Sequence, residues 1–137
     1  MFRKQLLFFF FYTIAFTVLG QTYYSKNYSI NDAFIDNLPS NTIRSIYLDS
    51  RNFLWIGTSE GLCKFDGEKF KTYTEKDGLI GKKIWAIVED KGGNLWISSY
   101  GEGLSKFDGN KFLNFTKDDG LISNSIRTLS VNESNHL

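Results

Sequence analysis

Several residue types are scarce. The 137 residues include one cysteine, one proline and one histidine, and the formal net charge is only +1. One cysteine excludes a disulfide scaffold. A balance so close to neutral offers no electrostatic footing for nucleic acid. No Cys or His lies at metal-ligand spacing from His136, so no metal site is expected. Beyond residue 20 there is no i, i+3, i+4 apolar stripe, which argues against helix. The length allows at most one ordinary domain. Aromatic side chains, in contrast, are plentiful. Thirteen Phe, seven Tyr and three Trp make up 17% of the chain, and that content excludes a disordered or collagen-like polymer.

The first twenty residues differ from the rest. Arg3 and Lys4 precede an uncharged, mostly apolar stretch from Gln5 to Leu19, with Phe8 to Phe11 unbroken, and Val18-Leu19-Gly20 offers compact residues for a peptidase. This pattern predicts a secretory signal peptide cleaved after Gly20. The rival, a membrane anchor, needs roughly 20 apolar residues, and this stretch is shorter. Removal of Arg3 and Lys4 leaves 14 basic residues against 15 acidic ones. Outside the cytosol, the unpaired Cys63 is expected to be buried.

The remainder repeats itself. Leu54-Trp55-Ile56 recurs 41 residues later as Leu95-Trp96-Ile97, and Lys64-Phe65-Asp66-Gly67 recurs 42 residues later as Lys106-Phe107-Asp108-Gly109. Asp77-Gly78-Leu79-Ile80 returns as Asp119-Gly120-Leu121-Ile122. The extra residue of the second copy lies where Tyr100-Gly101-Glu102-Gly103 replaces Ser59-Glu60-Gly61. A third copy opens at Ile126 and halts at Leu137, one residue before its tryptophan, so the chain is expected to be a fragment of a longer reading frame. Asn27-Tyr28-Ser29 looks like the outer strand of a unit whose other strands are absent.

Each copy divides into four short apolar or β-branched runs: Ile43–Leu48, Phe53–Thr58, Leu62–Phe65 and Phe70–Thr74 in the first. Turn signals separate them at Asp49–Asn52, Glu60-Gly61 and Asp66-Gly67. Four antiparallel strands in about 42 residues describe the blade of a β-propeller. Consecutive apolar residues at Phe53–Ile56 and Ile84–Val88 fit strands covered on both faces. The expected fold is therefore all-β, with two full four-stranded blades and partial ones in an incomplete ring. The expected organisation is a signal peptide at 1–20, a lead-in with an outer strand at 21–42, blades at 43–83 and 84–125, and the start of a truncated third blade at 126–137. The loops Ser59–Gly61, Ser98–Gly103, Glu75–Lys83 and Thr116–Asn124 are assigned to one face of the ring, where variable loops favour function.

Asn41-Thr42-Ile43-Arg44-Ser45-Ile46, Asp49, Leu54-Trp55-Ile56-Gly57-Thr58, Gly61-Leu62 and Phe65-Asp66 resemble the two-component regulator propeller repeat. The second copy departs from that pattern at Lys82-Lys83 and at Ser98. The repeat signature rests on Trp55, Trp96, Asp49, Asp90, Gly61, Gly103, Asp66, Gly67, Asp108 and Gly109. The resemblance implies the ligand-sensing propeller region of a bacterial sensor on the periplasmic side of a Gram-negative inner membrane. It implies an oligosaccharide or partner-domain ligand. It also implies further blades, downstream sensor domains, a membrane anchor and often a histidine kinase, none of them in this chain. No catalytic domain and no cofactor is expected here. A secreted propeller lyase or hydrolase, or a structural interaction module, stands as the alternative.

The candidate ligand contacts are Trp85, whose counterparts in the other copies are Arg44 and Arg127, and Tyr100, with Lys82, Lys83 and Glu102 beside them. Trp55 and Trp96 stand at periodic positions and are read as inter-blade core. Asp49 and Asp90 are similar to the Asp-box of sialidases, but Tyr47 and Val88 replace its Ser or Thr, so a capped turn is the reading adopted. Glu60, Glu102 and Asp119 are the acids a glycosidase reading would use. Solvated loop charges are the commoner case. Cys63, aligned with Ser105, is expected to pack inside its blade.

Overall fold

The computed structural model describes residues 38–137. The expected signal peptide and nearly all of the lead-in lie outside the described residues. Eight strands form two four-stranded antiparallel sheets: β1 (Ile43–Leu48), β2 (Leu54–Thr58), β3 (Leu62–Phe65) and β4 (Phe70–Tyr73), then β5 (Ile84–Glu89), β6 (Leu95–Ser99), β7 (Gly103–Phe107) and β8 (Phe112–Phe115). Each sheet runs in simple sequence order, every strand pairing with the next. The architecture is all-β, two propeller blades in succession.

Side-chain chemistry sets the turns. The Asp49 carboxylate accepts the backbone N–H groups of Arg51 (3.0 Å) and Phe53 (2.9 Å), folding the chain between β1 and β2. Asn52 closes that turn at φ 64°, and Gly93 does so in the second blade at 77°. Asn is among the few side chains that tolerate this region. Asp66 and Asp108 hold the β3–β4 and β7–β8 turns in the same manner, each carboxylate accepting two backbone N–H groups at 2.7–2.9 Å. After β4 the chain makes a 3-10 turn at Glu75–Asp77, and after β8 another at Lys117–Asp119. Thr74 with Asp77, and Thr116 with Asp119, close reciprocal capping boxes there.

Beyond Asp119 the described residues form no further strand. The third copy nevertheless builds the turn of the first two. Asn132 accepts the His136 N–H at 2.9 Å through its side chain, and Asn135 takes φ 61°. His136 is thus an exposed turn residue.

The main core lies where the blades meet. Trp55, Leu62, Tyr73 and Leu79 join Ile84, Ile87, Leu95, Ile97 and Phe107 in one buried cluster. Trp55 stacks on Tyr73 at 5.6 Å and meets Phe107 edge-on at 5.7 Å, geometries favoured by aromatic quadrupoles. Burying side chains such as Ile84 or Leu95 contributes about 1.5–3 kcal/mol each. Gly57 permits the close approach: a Cβ there would stand 2.4 Å from Ser45 Oγ and 2.6 Å from Ile84 Cγ2. A second cluster, Leu38, Ile56, Cys63 and Phe70, fills the other side of the first blade.

Polar bonds also cross between the blades. Ser50 donates its N–H and its hydroxyl to the Glu89 carboxylate, both at 2.8 Å. Ser105 Oγ accepts the Ile80 N–H at 3.0 Å, and Asn114 donates to the Gly78 carbonyl at 2.9 Å. The link between the blades is thereby tied to the second sheet.

Candidate functional site

A backbone irregularity shared by both blades creates the site. The register of β1 on β2 slips between Ile43 and Ser45, and that of β5 on β6 slips between Ile84 and Ala86. Arg44 and Trp85 are therefore the extra residues of two equivalent bulges, features that re-aim a side chain. In the second blade, the hydroxyl of Ser98 accepts the Ala86 N–H beside the bulge at 3.0 Å.

Trp85 and Tyr100 come together, with ring centroids 5.1 Å apart. The Tyr100 loop is fastened from two sides: its N–H donates to the Lys83 carbonyl at 2.9 Å, and the Gly101 N–H donates to the Asn124 carbonyl at 3.1 Å. The Arg44 guanidinium lies over the Trp85 ring at 4.7 Å. The Arg127 guanidinium lies 5.5 Å from the same ring and 5.2 Å from Tyr100. Arg127 also donates to the Tyr100 hydroxyl at 3.2 Å. That bond and the positive charge hold the Tyr100 phenol below its usual pKa.

Lys82, Lys83 and Glu102 line a neighbouring open hollow of ≈ 320 Å³ together with Glu75, Ile80 and Gly81. Lys82 reaches back to the first blade and bridges Glu60 at 2.7 Å; the bond and the carboxylate charge raise its pKa. Glu102 packs so closely over Gly81 that a Cβ at that glycine would lie 2.6 Å from its Cγ. The five candidate residues thus occupy two adjoining places, an aromatic pair and a charged hollow. Sequence reasoning missed Arg44 and Arg127 as members of the first. Their signal was present, because both hold Trp85's own repeat position.

Of the carboxylates weighed for hydrolysis, Glu60 and Asp119 are engaged elsewhere, while Glu102 borders the open hollow over Gly81. Asp119 accepts from Thr116 within its capping box at 2.9 and 3.0 Å. Glu60 holds Lys82. Asp49 and Asp90 organise their turns and accept the indole N–H groups of Trp55 and Trp96. No group of three or more His, Cys, Asp or Glu arranged to hold a metal ion occurs among the described residues.

The family model for the two component regulator propeller matches residues 37–60 and 78–101. Each match spans the first-strand bulge, the Asp-led turn and the Trp strand of one blade. Two stretches of the chain thus match the two-component regulator propeller repeat. It is also similar to a solved structure, the extracellular domain of a hybrid two component system from B. thetaiotaomicron, with a TM-score of 0.64 and 29% identity. That likeness covers 70% of this chain and 14% of the other, so the chain spans a small part of that neighbour. No curated protein matches it.

Within the propeller repeats, the two signature tryptophans have different surroundings. Trp55 is wholly buried against the second blade, while Trp96 is half-buried, stacked on Phe115 at 5.7 Å. Gly61 and Gly103 serve backbone geometry at φ 152° and 130°. A Cβ at Gly103 would lie 2.3 Å from the Phe115 carbonyl oxygen.

Proposed function

We propose that this chain is part of the extracytoplasmic, ligand-sensing propeller of a two-component signal transduction protein. The observation that supports the reading is the pair of propeller repeats at 37–60 and 78–101, taken with the likeness to a domain described as extracellular. The propeller serves as a rigid frame, and its second blade displays Trp85, Tyr100, Glu102, Lys82 and Lys83 on loops and a bulge at one end of the strands. The ligand is an oligosaccharide or a partner domain. Binding, not chemistry, is the role assigned to this region. The whole protein is exported and held on the periplasmic side of a Gram-negative inner membrane by segments outside this chain, which also carry the output.

The test places the full-length protein in a reporter strain and challenges it with oligosaccharides. Transcription responding to one of them is expected. The response falls when Trp85→Ala or Tyr100→Ala is introduced, at unchanged levels of exported protein. A response unaltered by either change removes those residues from the site. The absence of any response to saccharides or to envelope proteins overturns the sensing role.

A further inference from the structure

The candidate site contains an order that its individual residues do not convey. Arg44, Trp85 and Arg127 occupy the same position in three successive copies of the repeat. Arg44 approaches the indole from the first blade and Arg127 from the segment after the second. We propose that this Arg–Trp–Arg ladder is an anion-binding comb, and that the ligand of the propeller is an acidic oligosaccharide bearing carboxylate or sulfate groups. The inference rests on the sensing reading above and narrows it.

A tryptophan meant to stack on a sugar leaves a ring face open. Here two guanidiniums and a phenol ring already stand against Trp85, at 4.7, 5.5 and 5.1 Å. Its role is to hold the cations. A guanidinium laid over an aromatic ring is held by its flat face, while its in-plane N–H donors point outward. Those donors match the planar fork of a carboxylate, or two oxygens of a sulfate. Neither Arg44 nor Arg127 has a carboxylate partner among the described residues, nor does Lys83. Lys82, by contrast, is neutralised by Glu60. Tyr100 serves as a positioning residue for Arg127 through its hydroxyl. One cation comes from the first blade and the other from the segment after the second, on a shared indole, which suits the comb to a chain carrying more than one acidic unit.

The experiment is calorimetric titration of the full-length protein with three probes of similar length: an oligogalacturonate, a sulfated oligosaccharide and a neutral malto-oligosaccharide. One or both acidic probes bind, more weakly at higher salt, and the neutral one does not. Which acidic probe wins tells carboxylate from sulfate. Arg44→Gln and Arg127→Gln each weaken binding about tenfold or more, as loss of a hydrogen bond to a charged group requires. Both residues are exposed, so the fold is retained. Trp85→Leu keeps both charges yet also weakens binding, and Arg44→Lys fails to restore the affinity. Neutral binding as tight as acidic binding overturns the comb and leaves the sensing role standing. Acidic binding indifferent to both glutamine variants overturns it as well. If none of the probes binds, the comb is wrong, and a reporter response to a neutral sugar or a protein would still support sensing.

Discussion

The indole N–H of Trp55 donates to Asp49 Oδ2 at 2.8 Å, so the residue that opens the turn also fixes the tryptophan six positions later. The bond recurs between Trp96 and Asp90 at 3.0 Å. One carboxylate folds the hairpin with one oxygen and sets the orientation of the core indole with the other. Asp49 is 3% exposed and Trp55 is fully enclosed. Asp49→Ala is therefore expected to cost about 2–3 kcal/mol, because it leaves a buried indole N–H unpaired. Asp90→Ala is expected to cost about half as much, since water reaches the half-exposed Trp96. Urea midpoints of the two variants decide it. Equal losses would mean that the neighbouring blade does not set the value of this bond.

The same carboxylates make the fold sensitive to acid. Burial raises the pKa of Asp49, but hydrogen bonds from Trp55, Phe53 and Arg51 outweigh it and bring it below the ordinary 3.8. Asp90 follows the same pattern, with burial opposed by Asn94, Trp96 and Gly92. Asp66 and Asp108 are lowered by the backbone N–H groups of their turns. A depressed folded pKa contributes stability that is fully present above the unfolded value and lost as pH falls through the folded one. Urea midpoints are expected to hold steady from neutral pH toward the ordinary carboxylate range and to fall below it. Asp49→Asn should flatten part of that fall. A midpoint that declines already between pH 7 and 5 would place the sensitive group elsewhere.

The strands were legible because the repeat states them twice. Ile43–Leu48 and Leu62–Phe65 were placed correctly from turn residues and apolar runs, and β2 and β4 were placed to within a residue. Asp49 was legible as a turn former, though not as the partner of Trp55. The candidate site was half legible. Trp85 and Tyr100 stood out because they break the repeat, and they meet at 5.1 Å. Arg44 and Arg127 did not stand out, because their neighbour in space is Trp85, the corresponding residue of an adjoining copy, some forty positions away in the chain. The bulge that brings Arg44 and Trp85 into line is a property of strand register. No single strand's sequence encodes it.

Register also explains a compensating exchange. Ser45 faces Gly57 in the first blade, and Ala86 faces Ser98 in the second, so each pair carries one hydroxyl, on opposite strands. Ser98 uses its hydroxyl as acceptor for Ala86. The hydroxyl of Ser45 is buried without a partner among the described residues. Ser45→Ala should then be neutral or stabilise by about 1 kcal/mol, since it removes an unpaired polar atom. Gly57→Ala should cost about 1–3 kcal/mol by forcing Ile84 and Ser45 apart. Thermal or urea unfolding measures both. A loss on Ser45→Ala would reveal a partner for the hydroxyl.

Cys63 is fully buried, 3.8 Å from the Thr72 hydroxyl, and burial pushes its thiol pKa up to about 11. At pH 8 only about one molecule in a thousand carries the thiolate there. The native protein should ignore thiol reagents that label it at once in urea. Cys63→Ser should cost under about 1 kcal/mol, because Ser105 already fills that position in the second blade and bonds Asn114 at 2.7 Å. Rapid labelling under native conditions would show that this sheet opens on its own.

β1 leaves apolar side chains uncovered. Ile46 and Leu48 are 62% and 60% exposed, whereas Ile87, at the position of Ile46 in the second blade, is 6% exposed beneath the first. The first blade thus displays the surface that the second blade buries, and a bare apolar sheet face favours association. Produced by itself, the chain is expected to self-associate in a concentration-dependent way. Leu48→Glu, which copies Glu89, together with Ile46→Lys should suppress that association without altering the circular dichroism spectrum. Light scattering and sedimentation read the outcome. A parent chain that stays monomeric and unfolds cooperatively would mean that this face needs no cover, because the two-blade unit is then sufficient as it stands.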